Sequence, residues 1–438
     1  MKRINILTVI ALVSVLGLAA CDAQTATTSV VPTPLSVTPT ATSQPTSMQT
    51  PTTIASPTFT QTPRPTPVER PVTTPFPAPT SGSAIWQIVF SACPCTPTLA
   101  SYCPGEQCTA SIYTVNSDGT DLRQVVEGKS YAHSPSPSPD GRYLAFEDER
   151  EDVSITPTPE ERGHGGLVYP RTYLFDLTTG EIMPLGAKRF ARCQWFPDGT
   201  RLACYAEGDI YVVSLGGAGP IRVTSVAQEA QLCAFDLSPD GERIVYVEEN
   251  PALSEPRDLN IYRVDVNGTG LLQLATLPDV RYCGSVQWSP NGEEVFVAAS
   301  YDSEVSASDL FLIETEEGEV HPIFHSNHNI FTTPRWLADG QHIFFVEYDR
   351  ERDANAFYIV DRNGVGRTFE ITGLGSSIFA GDLLQDQTQF VFALMFGNEA
   401  DRGGLYVADL ETGYWAHVLT DYQVSFDGIA TLVSSDWR

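Results

Sequence analysis

Short apolar runs rich in Val, Ile, Phe and Tyr recur from residue 84 to the end of the chain, and turn-forming residues bound each run. The clearest unit is Ser138-Pro139-Asp140-Gly141, which an apolar run at 143–146 follows. In such a unit proline fixes φ at the first turn position, aspartate bonds nearby backbone, and glycine takes the left-handed position. The unit therefore predicts a β-hairpin, closed by a three-residue Pro-Asp-Gly loop, that leads into a buried strand.

The unit recurs at a regular spacing. Its second residue falls at positions 139, 197, 239, 290, 338 and 385, so successive copies are 58, 42, 51, 48 and 47 residues apart. A second hairpin signal follows each first one, as in residues 112–120 and 261–269, which makes four strands in each period. A period of about 40 to 60 residues in an all-β pattern is typical of a propeller. Trp195, Trp288 and Trp336 each stand two residues before the turn proline position, and we expect them to pack between blades.

The two ends of the chain provide the parts of one further blade. Residues 85–90 have the pattern of a strand that leaves the turn, and residues 429–437 have the pattern of a strand that enters it. Pairing these strands would close the ring and remove the exposed edges of an open array. Six internal copies and one composite blade predict an all-β, seven-bladed β-propeller, with six or eight blades as alternatives.

The repeated Ser-Pro-Asp-Gly unit, with two hairpins in each period, resembles the TolB-like propeller family, also called PD40 or WD40-like repeats. The resemblance covers residues 84–438. It implies the propeller fold, and it implies little about function, because this repeat serves many roles.

The N-terminal residues have the composition of an export signal. Lys2 and Arg3 precede an apolar run at 4–18 that is short for a membrane span. The segment Leu18-Ala19-Ala20-Cys21 resembles the bacterial lipobox. That resemblance implies cleavage before Cys21 and acylation of its sulfur, so we expect an extracytoplasmic protein held on a bacterial membrane by a lipid anchor alone.

The chain then divides into three parts. We expect a lipoprotein signal peptide at 1–20, a lipidated Cys21 followed by a Pro- and Thr-rich disordered linker to residue 82, and a propeller at 83–438. The linker has too few apolar residues to bury a core, so it stays extended and solvated. We expect the propeller to be a monomer.

The charge of the propeller restricts the class of partner. The chain has a formal charge of −28, and residues 1–82 hold four Lys or Arg and two Asp or Glu, so the propeller keeps 22 basic and 52 acidic residues, a charge of −30. Nucleic acid is excluded as a partner, because phosphate binding needs a basic field. A basic protein patch, a cationic ligand or a divalent cation fits this field better.

The predicted topology places the tight turns on one face and the long loops on the other. We call the second one the long-loop face, and its loops are near 91–110, 148–171, 249–259, 300–309 and 349–355. Long loops on a rigid scaffold often bind partners, and tyrosine is favoured at interfaces. The candidate partner-binding residues are Asp148, Glu149, Glu248, Glu249, Asp302, Asp349, Tyr131, Tyr282 and Tyr301.

Eight cysteines besides Cys21 are an even number in a chain with an export signal, which favours disulfides. The candidates in one proline-rich loop are Cys93, Cys95, Cys103 and Cys108, for which two local disulfides or a four-thiolate zinc site are the alternatives. Cys233 and Cys283 begin the innermost strands of neighbouring blades and are predicted to join them. Cys193 and Cys204 flank one hairpin, but a three-residue loop would place them on opposite faces, so no bridge between them is predicted.

No sequence motif indicates catalysis. The chain has no Gly-x-Ser-x-Gly elbow, no His-Glu-x-x-His and no phosphate-binding glycine loop. His321, His325 and His328 are close in sequence, but a polar connecting loop explains them as well as a metal does, so neither a metal nor a cofactor is predicted. The sequence therefore favours a module that binds a basic protein or envelope component, with a metal-assisted hydrolase or lactonase in the propeller funnel as the alternative.

Overall fold

Every regular element in the described residues is a β-strand, as the alternating pattern predicts. The structure is a computed structural model. It describes residues 85–94, 109–129, 132–149, 171–226, 230–249, 257–300, 309–325, 329–330, 334–349, 351–352, 354–372, 378–384, 386–394, 404–420 and 422–431. The predicted signal peptide, Cys21 and the linker lie outside these residues.

The strands are named here in chain order. The first fifteen are β1 (Gln87–Pro94), β2 (Ser111–Asn116), β3 (Arg123–Val126), β4 (His133–Pro137), β5 (Tyr143–Asp148), β6 (Arg171–Asp176), β7 (Ile182–Pro184), β8 (Ala191–Trp195), β9 (Arg201–Ala206), β10 (Asp209–Ser214), β11 (Ile221–Arg222), β12 (Gln231–Leu237), β13 (Arg243–Glu249), β14 (Arg257–Asp265) and β15 (Leu272–Val280). The others are β16 (Tyr282–Trp288), β17 (Glu294–Ser300), β18 (Asp309–Glu314), β19 (Val320–His325), β20 (Asn329–Ile330), β21 (Arg335–Trp336), β22 (His342–Asp349), β23 (Ala354–Asp361), β24 (Gly366–Thr372), β25 (Ile378–Leu383), β26 (Gln389–Leu394), β27 (Gly404–Asp409), β28 (Trp415–Thr420) and β29 (Tyr422–Thr431).

These strands form seven antiparallel sheets, which are the seven predicted blades. Blade 1 has the order β29-β1-β2-β3, and blades 2 to 5 are β4–β7, β8–β11, β12–β15 and β16–β19. Blade 6 is β20–β24, in which β20 and β21 both pair with β22, and blade 7 is β25–β28. The innermost strands contact one another around the ring, for example β12 with β16, and β29 with both β25 and β4. The prediction of a seven-bladed propeller is confirmed.

The composite blade joins the two ends of the propeller. Strand β29 pairs antiparallel with β1, with Ile88 opposite Thr431 and Phe90 opposite Ile429. Strand β1 pairs with β2 on its other side. Residues 432–438, which the sequence places in the same closing strand, lie outside the described residues. Because β29 completes a sheet of N-terminal strands, the ring closes as predicted.

The turn between the first two strands of a blade has four loop residues, and the predicted three-residue loop is wrong. In blade 2, Ser138 N donates to Tyr143 O at 2.8 Å, so residues 139–142 form the loop. Gly141, with φ of 70°, donates its N–H to Ser138 O at 2.9 Å. The residue after glycine stays in the loop because Asp140 Oδ1 accepts its N–H, that of Arg142, at 3.1 Å. Equivalent backbone bonds close the loops after Phe196, Ser238, Ser289, Leu337 and Leu384.

This loop length reverses the prediction for one cysteine pair. An even number of loop residues pairs Trp195 with Leu202, and the same register sets Cys193 across from Cys204. The two sulfurs form a disulfide, with the Cα atoms 4.2 Å apart. The expectation that these cysteines lie on opposite faces is therefore wrong, because it depended on an odd-numbered loop.

The other described cysteines agree with the predicted disulfides. Cys233 on β12 and Cys283 on β16 are bonded, with 6.4 Å between their Cα atoms, so the bridge joins blades 4 and 5. Cys93 on β1 is also disulfide-bonded. A bonded Cys93 cannot be one of four zinc thiolates, which disfavours the zinc alternative. Cys95, Cys103 and Cys108 lie outside the described residues, so the pairing within that loop stays a prediction.

The repeated tryptophans pack between blades. Trp288 is 3% exposed and belongs to an apolar cluster made by blades 4 and 5. Trp336 belongs to the cluster of blades 5 and 6, and Trp195 packs against the cluster of blades 2 and 3. A separate apolar cluster thus lies between each pair of neighbouring sheets around the ring, as stacked repeats require.

We expect Trp288→Ala to lower the free energy of unfolding by roughly 3–5 kcal/mol, because it empties a large site between two blades. Leu271→Ala is the control: Leu271 is 51% exposed, and a surface truncation changes stability by about 0.5 kcal/mol or less. Denaturant unfolding followed by circular dichroism measures both. Equal losses in the two variants would show that Trp288 does not hold blades together.

Candidate functional site

One acidic residue predicted to bind a partner, Asp148, is buried within the fold. Asp148, at the end of β5, is fully buried. Its Oδ2 accepts the N–H of Lys129 at 3.2 Å and its Oδ1 accepts the N–H of Glu149 at 2.8 Å. The neighbouring Glu147 is also buried, and its Oε1 accepts the N–H of Arg192 in the next blade at 2.6 Å. Asp148 is therefore unsuited to be the exposed contact that we predicted.

Glu248 is in a different environment. It lies near the end of β13 on the long-loop face and is half-buried. Burial and the negative charge of Asp209 in the adjacent blade raise the pKa of Glu248. Asp209 is itself neutralised by Arg222, at 2.5 Å, and accepts the Thr224 hydroxyl at 2.9 Å. Among the described residues, no cation pairs with Glu248, so its charge is poorly compensated.

The other predicted residues give less information about a site. Glu149 and Glu249 are half-buried at strand ends. Asp349 Oδ1 accepts the N–H groups of Glu351 and Arg352 at 2.9 and 3.1 Å, which orders the turn after β22. The backbone of Tyr282 pairs with Ser300, while its side chain and all of Tyr131, Tyr301 and Asp302 lie outside the described part.

A second group of polar residues lines the inner strands. The position three residues before the turn proline position is polar in all six internal copies: Ser136, Gln194, Asp236, Gln287, Arg335 and Asp382. We call this group the inner ring. The sequence contains this regularity, but it was missed because each residue looks unremarkable by itself.

Three inner-ring side chains accept a backbone N–H from the next blade. Gln194 Oε1 accepts that of Leu237 at 3.2 Å, and Asp236 Oδ2 accepts that of Trp288 at 2.8 Å. Gln287 Oε1 accepts that of Trp336 at 3.1 Å. Each acceptor therefore satisfies a donor at the equivalent position one blade further on, which fixes the height of neighbouring blades relative to each other.

The ends of this series use related contacts. Trp195 Nε1 donates to the backbone oxygen of Ser136 at 2.9 Å, which connects blades 3 and 2. Arg335 Nε lies 3.7 Å from Asp382 Oδ1, which connects blades 6 and 7. Polar contacts of the inner ring thus run from blade 2 to blade 7.

Asp236 has the most perturbed carboxyl in this ring. Burial raises its pKa to about 7, although the N–H of Trp288 and the positive charge of Arg335 act in the opposite direction. A carboxyl group with a pKa near neutrality inside a cleft is a candidate functional group on physical grounds.

A cavity of about 360 Å³ opens beside Asp236. It lies at the short-turn end of the inner strands of blades 2, 3 and 4. Its lining residues are Ser136, Pro137, Cys193, Gln194, Trp195, Pro197, Asp236, Leu237, Ser238 and Pro239. Asp236 is the one charged residue among them. The cavity is open to solvent, and its lining combines apolar rings with a few polar groups and one perturbed carboxyl group, which makes it a candidate ligand site.

The histidines singled out in the sequence do not converge. His325 Nδ1 is 2.6 Å from Asp309 Oδ1. His321 Nε2 is 3.8 Å from Glu314 Oε1 and 3.7 Å from Glu319 Oε1, on the turn between β18 and β19. His328 lies outside the described residues. Glu319 is exposed and Arg362 already lies 3.9 Å from Glu314 Oε1, so we assign no metal to this group.

Fold and repeat define the class of this protein, a seven-bladed β-propeller whose repeat resembles that of TolB-like propellers. No protein-family profile matches the chain. An uncharacterized protein of Agrobacterium fabrum, Atu1656, is 26% identical over 291 residues, which cover 56% of this chain and 94% of that protein.

Solved structures support the fold alone. An oligogalacturonate lyase in complex with manganese superposes with a TM-score of 0.55 at 15% identity, covering 76% of this chain and 85% of the lyase. TolB from Acinetobacter baumannii superposes less completely, with a TM-score of 0.41 at 14% identity, covering 66% of this chain and 67% of TolB. In the described part of the chain, no helix has the length and apolarity needed to cross a membrane.

The raised pKa of Asp236 predicts how stability depends on pH. Because its folded pKa of about 7 exceeds the ordinary 3.8, the stabilisation is fully present below about pH 4 and is lost as the pH rises towards 7. Asp236→Asn keeps an acceptor for Trp288 N, and amides already occupy this position at Gln194 and Gln287. Between pH 4 and 7.5, we expect the free energy of unfolding of the wild type to fall by roughly 2 kcal/mol more than that of this variant, about half the value of a three-unit shift, because Asp236 is only partly buried and solvent screens its charge.

Asp240→Asn is the control for this measurement. The Ser238 hydroxyl lowers the pKa of Asp240, so its stabilisation is lost only as the pH falls into the acid range. Denaturation midpoints of the three proteins across the pH range make the comparison. If Asp236→Asn and the wild type have the same slope between pH 4 and 7.5, the assignment of a near-neutral pKa to Asp236 is wrong.

Proposed function

We propose that the protein is an exported, lipid-anchored propeller that binds a basic segment of another protein or of an envelope component on its long-loop face. The observation that carries the proposal is Glu248, which is half-buried near Asp209 and has no paired cation among the described residues. A Lys or Arg side chain placed there would supply the charge that this site lacks, and it would do so in a partly desolvated setting where the interaction is strong.

The negative charge of the whole propeller also favours a basic partner. A charge of −30, from 22 basic and 52 acidic residues, attracts cationic surfaces and raises the rate at which they encounter the protein. Glu249 follows Glu248 at the end of the same strand, where successive side chains point to opposite faces of the sheet, so Glu248 is the carboxylate of this pair that the basic segment would contact. Binding at this site should weaken as salt concentration rises.

The proposed location agrees with the chemistry of the cysteines. Disulfides such as Cys193–Cys204 and Cys233–Cys283 persist in oxidising compartments outside the cytoplasm. Acylation of Cys21 would fix the chain to the membrane, and the linker at 22–82 could hold the propeller up to about 190 Å from it as an extended chain, at about 3.1 Å per residue. Two or more acyl chains are enough for stable anchoring.

The inner ring gives no support to the alternative of a metal-assisted hydrolase or lactonase. The two carboxylates of the inner ring, Asp236 and Asp382, stand in blades 4 and 7. Asp382 faces Arg335, and Asp236 already accepts a backbone N–H. Paired carboxylates or a histidine-rich metal site, which such hydrolysis uses, are not found at these six described positions.

Charge reversal tests the binding site. We expect Glu248→Lys to reduce capture of the partner from an envelope extract about tenfold or more, since even 1.4 kcal/mol corresponds to tenfold. Glu242→Lys is the matched control, because Glu242 is an exposed acid in a turn on the opposite face. Quantitative mass spectrometry of the captured proteins provides the readout. Equal capture by both variants and the wild type, or an equal loss in both, would contradict a site at Glu248.

Replacement of the acylated residue tests the anchor separately. We expect the N-terminal peptide of the membrane-bound protein to carry acyl chains on Cys21, and we expect Cys21→Ser to carry none, because the thiol that accepts the lipid is lost while the propeller is unchanged. Mass spectrometry of the N-terminal peptide measures the modification. An unmodified Cys21 in the membrane-bound wild type would show that a lipid on Cys21 is not the anchor.

A further inference from the structure

The cavity beside Asp236 combines apolar rings with a single charged residue. Three proline rings, from Pro137, Pro197 and Pro239, and the indole of Trp195 form much of its surface. Tyr143 stacks on Trp195, with the ring centroids 6.4 Å apart, and the indole N–H is bonded to Ser136 O. The prolines and the indole therefore give part of the lining an apolar character that is suited to the body of a small organic molecule.

The polar groups of the cavity are held in place before any ligand arrives. Gln194 uses both ends of its amide on the backbone of blade 4, accepting from Leu237 N at 3.2 Å and donating to Phe235 O at 3.1 Å. Asp236 is oriented by the N–H of Trp288 at 2.8 Å. A ligand could therefore contact the negatively charged carboxylate of Asp236 and the nearby Ser136.

The charges around Asp236 leave that negative charge incompletely neutralised. Arg335 on β21 is the cation that acts on it, but Arg335 also faces Asp382 at 3.7 Å. Strand β8 presents the neutral Gln194 and β16 presents a backbone N–H. No Lys, Arg or His lines the cavity.

We propose that this cavity binds a small organic cation, an alkylammonium compound whose apolar body contacts Trp195 and the three prolines while its charge faces the carboxylate of Asp236. A cation in such a site gains from the carboxylate and from the face of an aromatic ring together. This site lies on the short-turn side of the propeller, so it is separate from the proposed partner-binding surface at Glu248 and does not depend on it.

Proton and ligand compete for the same group. Burial favours the protonated form of Asp236, with a pKa of about 7, whereas a bound cation favours the ionised form. Binding should therefore release a proton near neutral pH and should be tighter at pH 8 than at pH 5.5.

Choline and its neutral isostere 3,3-dimethylbutan-1-ol test the proposal, because they share size and shape and differ in charge. We expect isothermal titration calorimetry of the purified protein at pH 8 to give a dissociation constant of roughly 1 mM or tighter for choline. The neutral isostere should bind at least ten times more weakly, and choline should lose at least tenfold in affinity at pH 5.5.

Variants connect any binding to this cavity. Asp236→Asn should weaken choline at least tenfold, and it keeps the fold because amides occupy the equivalent position in both neighbouring blades. Asp339→Asn is the matched control on the same side of the propeller, since Asn291 already occupies the equivalent turn position. Absence of choline binding, equal binding of choline and the isostere, or full binding by Asp236→Asn would each overturn the proposal.

Discussion

The pairing of β29 with β1 is the contact on which the rest of this molecule depends. Each four-stranded sheet is too small to bury its own apolar faces, so every blade needs two neighbours. An open row would leave two blades half covered and two sheet edges exposed. The pairing that sets Ile88 opposite Thr431 covers both of these blades and both of these edges, because it makes one blade from the two ends of the propeller.

Closure also explains the polar inner ring. Once the innermost strands converge, backbone donors such as Trp288 N face the preceding blade and not a strand of their own sheet. Gln194, Asp236 and Gln287 each satisfy one of these donors. Asp236 accepts its N–H with a carboxyl group, whereas its neighbours accept theirs with amides. Because burial disfavours the ionised carboxylate, the pKa of Asp236 is raised. A structural position thereby supplies the carboxyl group on which the proposed cation site is built.

The sequence predicts what repeats and misses what depends on distant neighbours. Turn spacing and the tryptophans were sufficient for the seven blades and the interblade core. They were not sufficient to predict whether a loop has an odd or an even number of residues. The N–H of Arg142 is bonded to the side chain of Asp140, and the pattern of apolar and polar residues does not reveal this local bond. The same holds for Asp236 and Glu248: their partners, Trp288 and Asp209, come from adjacent blades, and burial of Asp148 likewise follows from tertiary contacts.

The most direct test of the central claim is hydrogen exchange on a chain that lacks residues 422–438. Closure predicts that amides of β1 lose protection together with those of the flanking strands β4 and β25, because the ring opens on both sides of blade 1, while the Cys233–Cys283 region between blades 4 and 5 keeps more of its protection. If β1, β4 and β25 exchange as slowly in the shortened chain as in the full one, the C-terminal strand does not close the propeller.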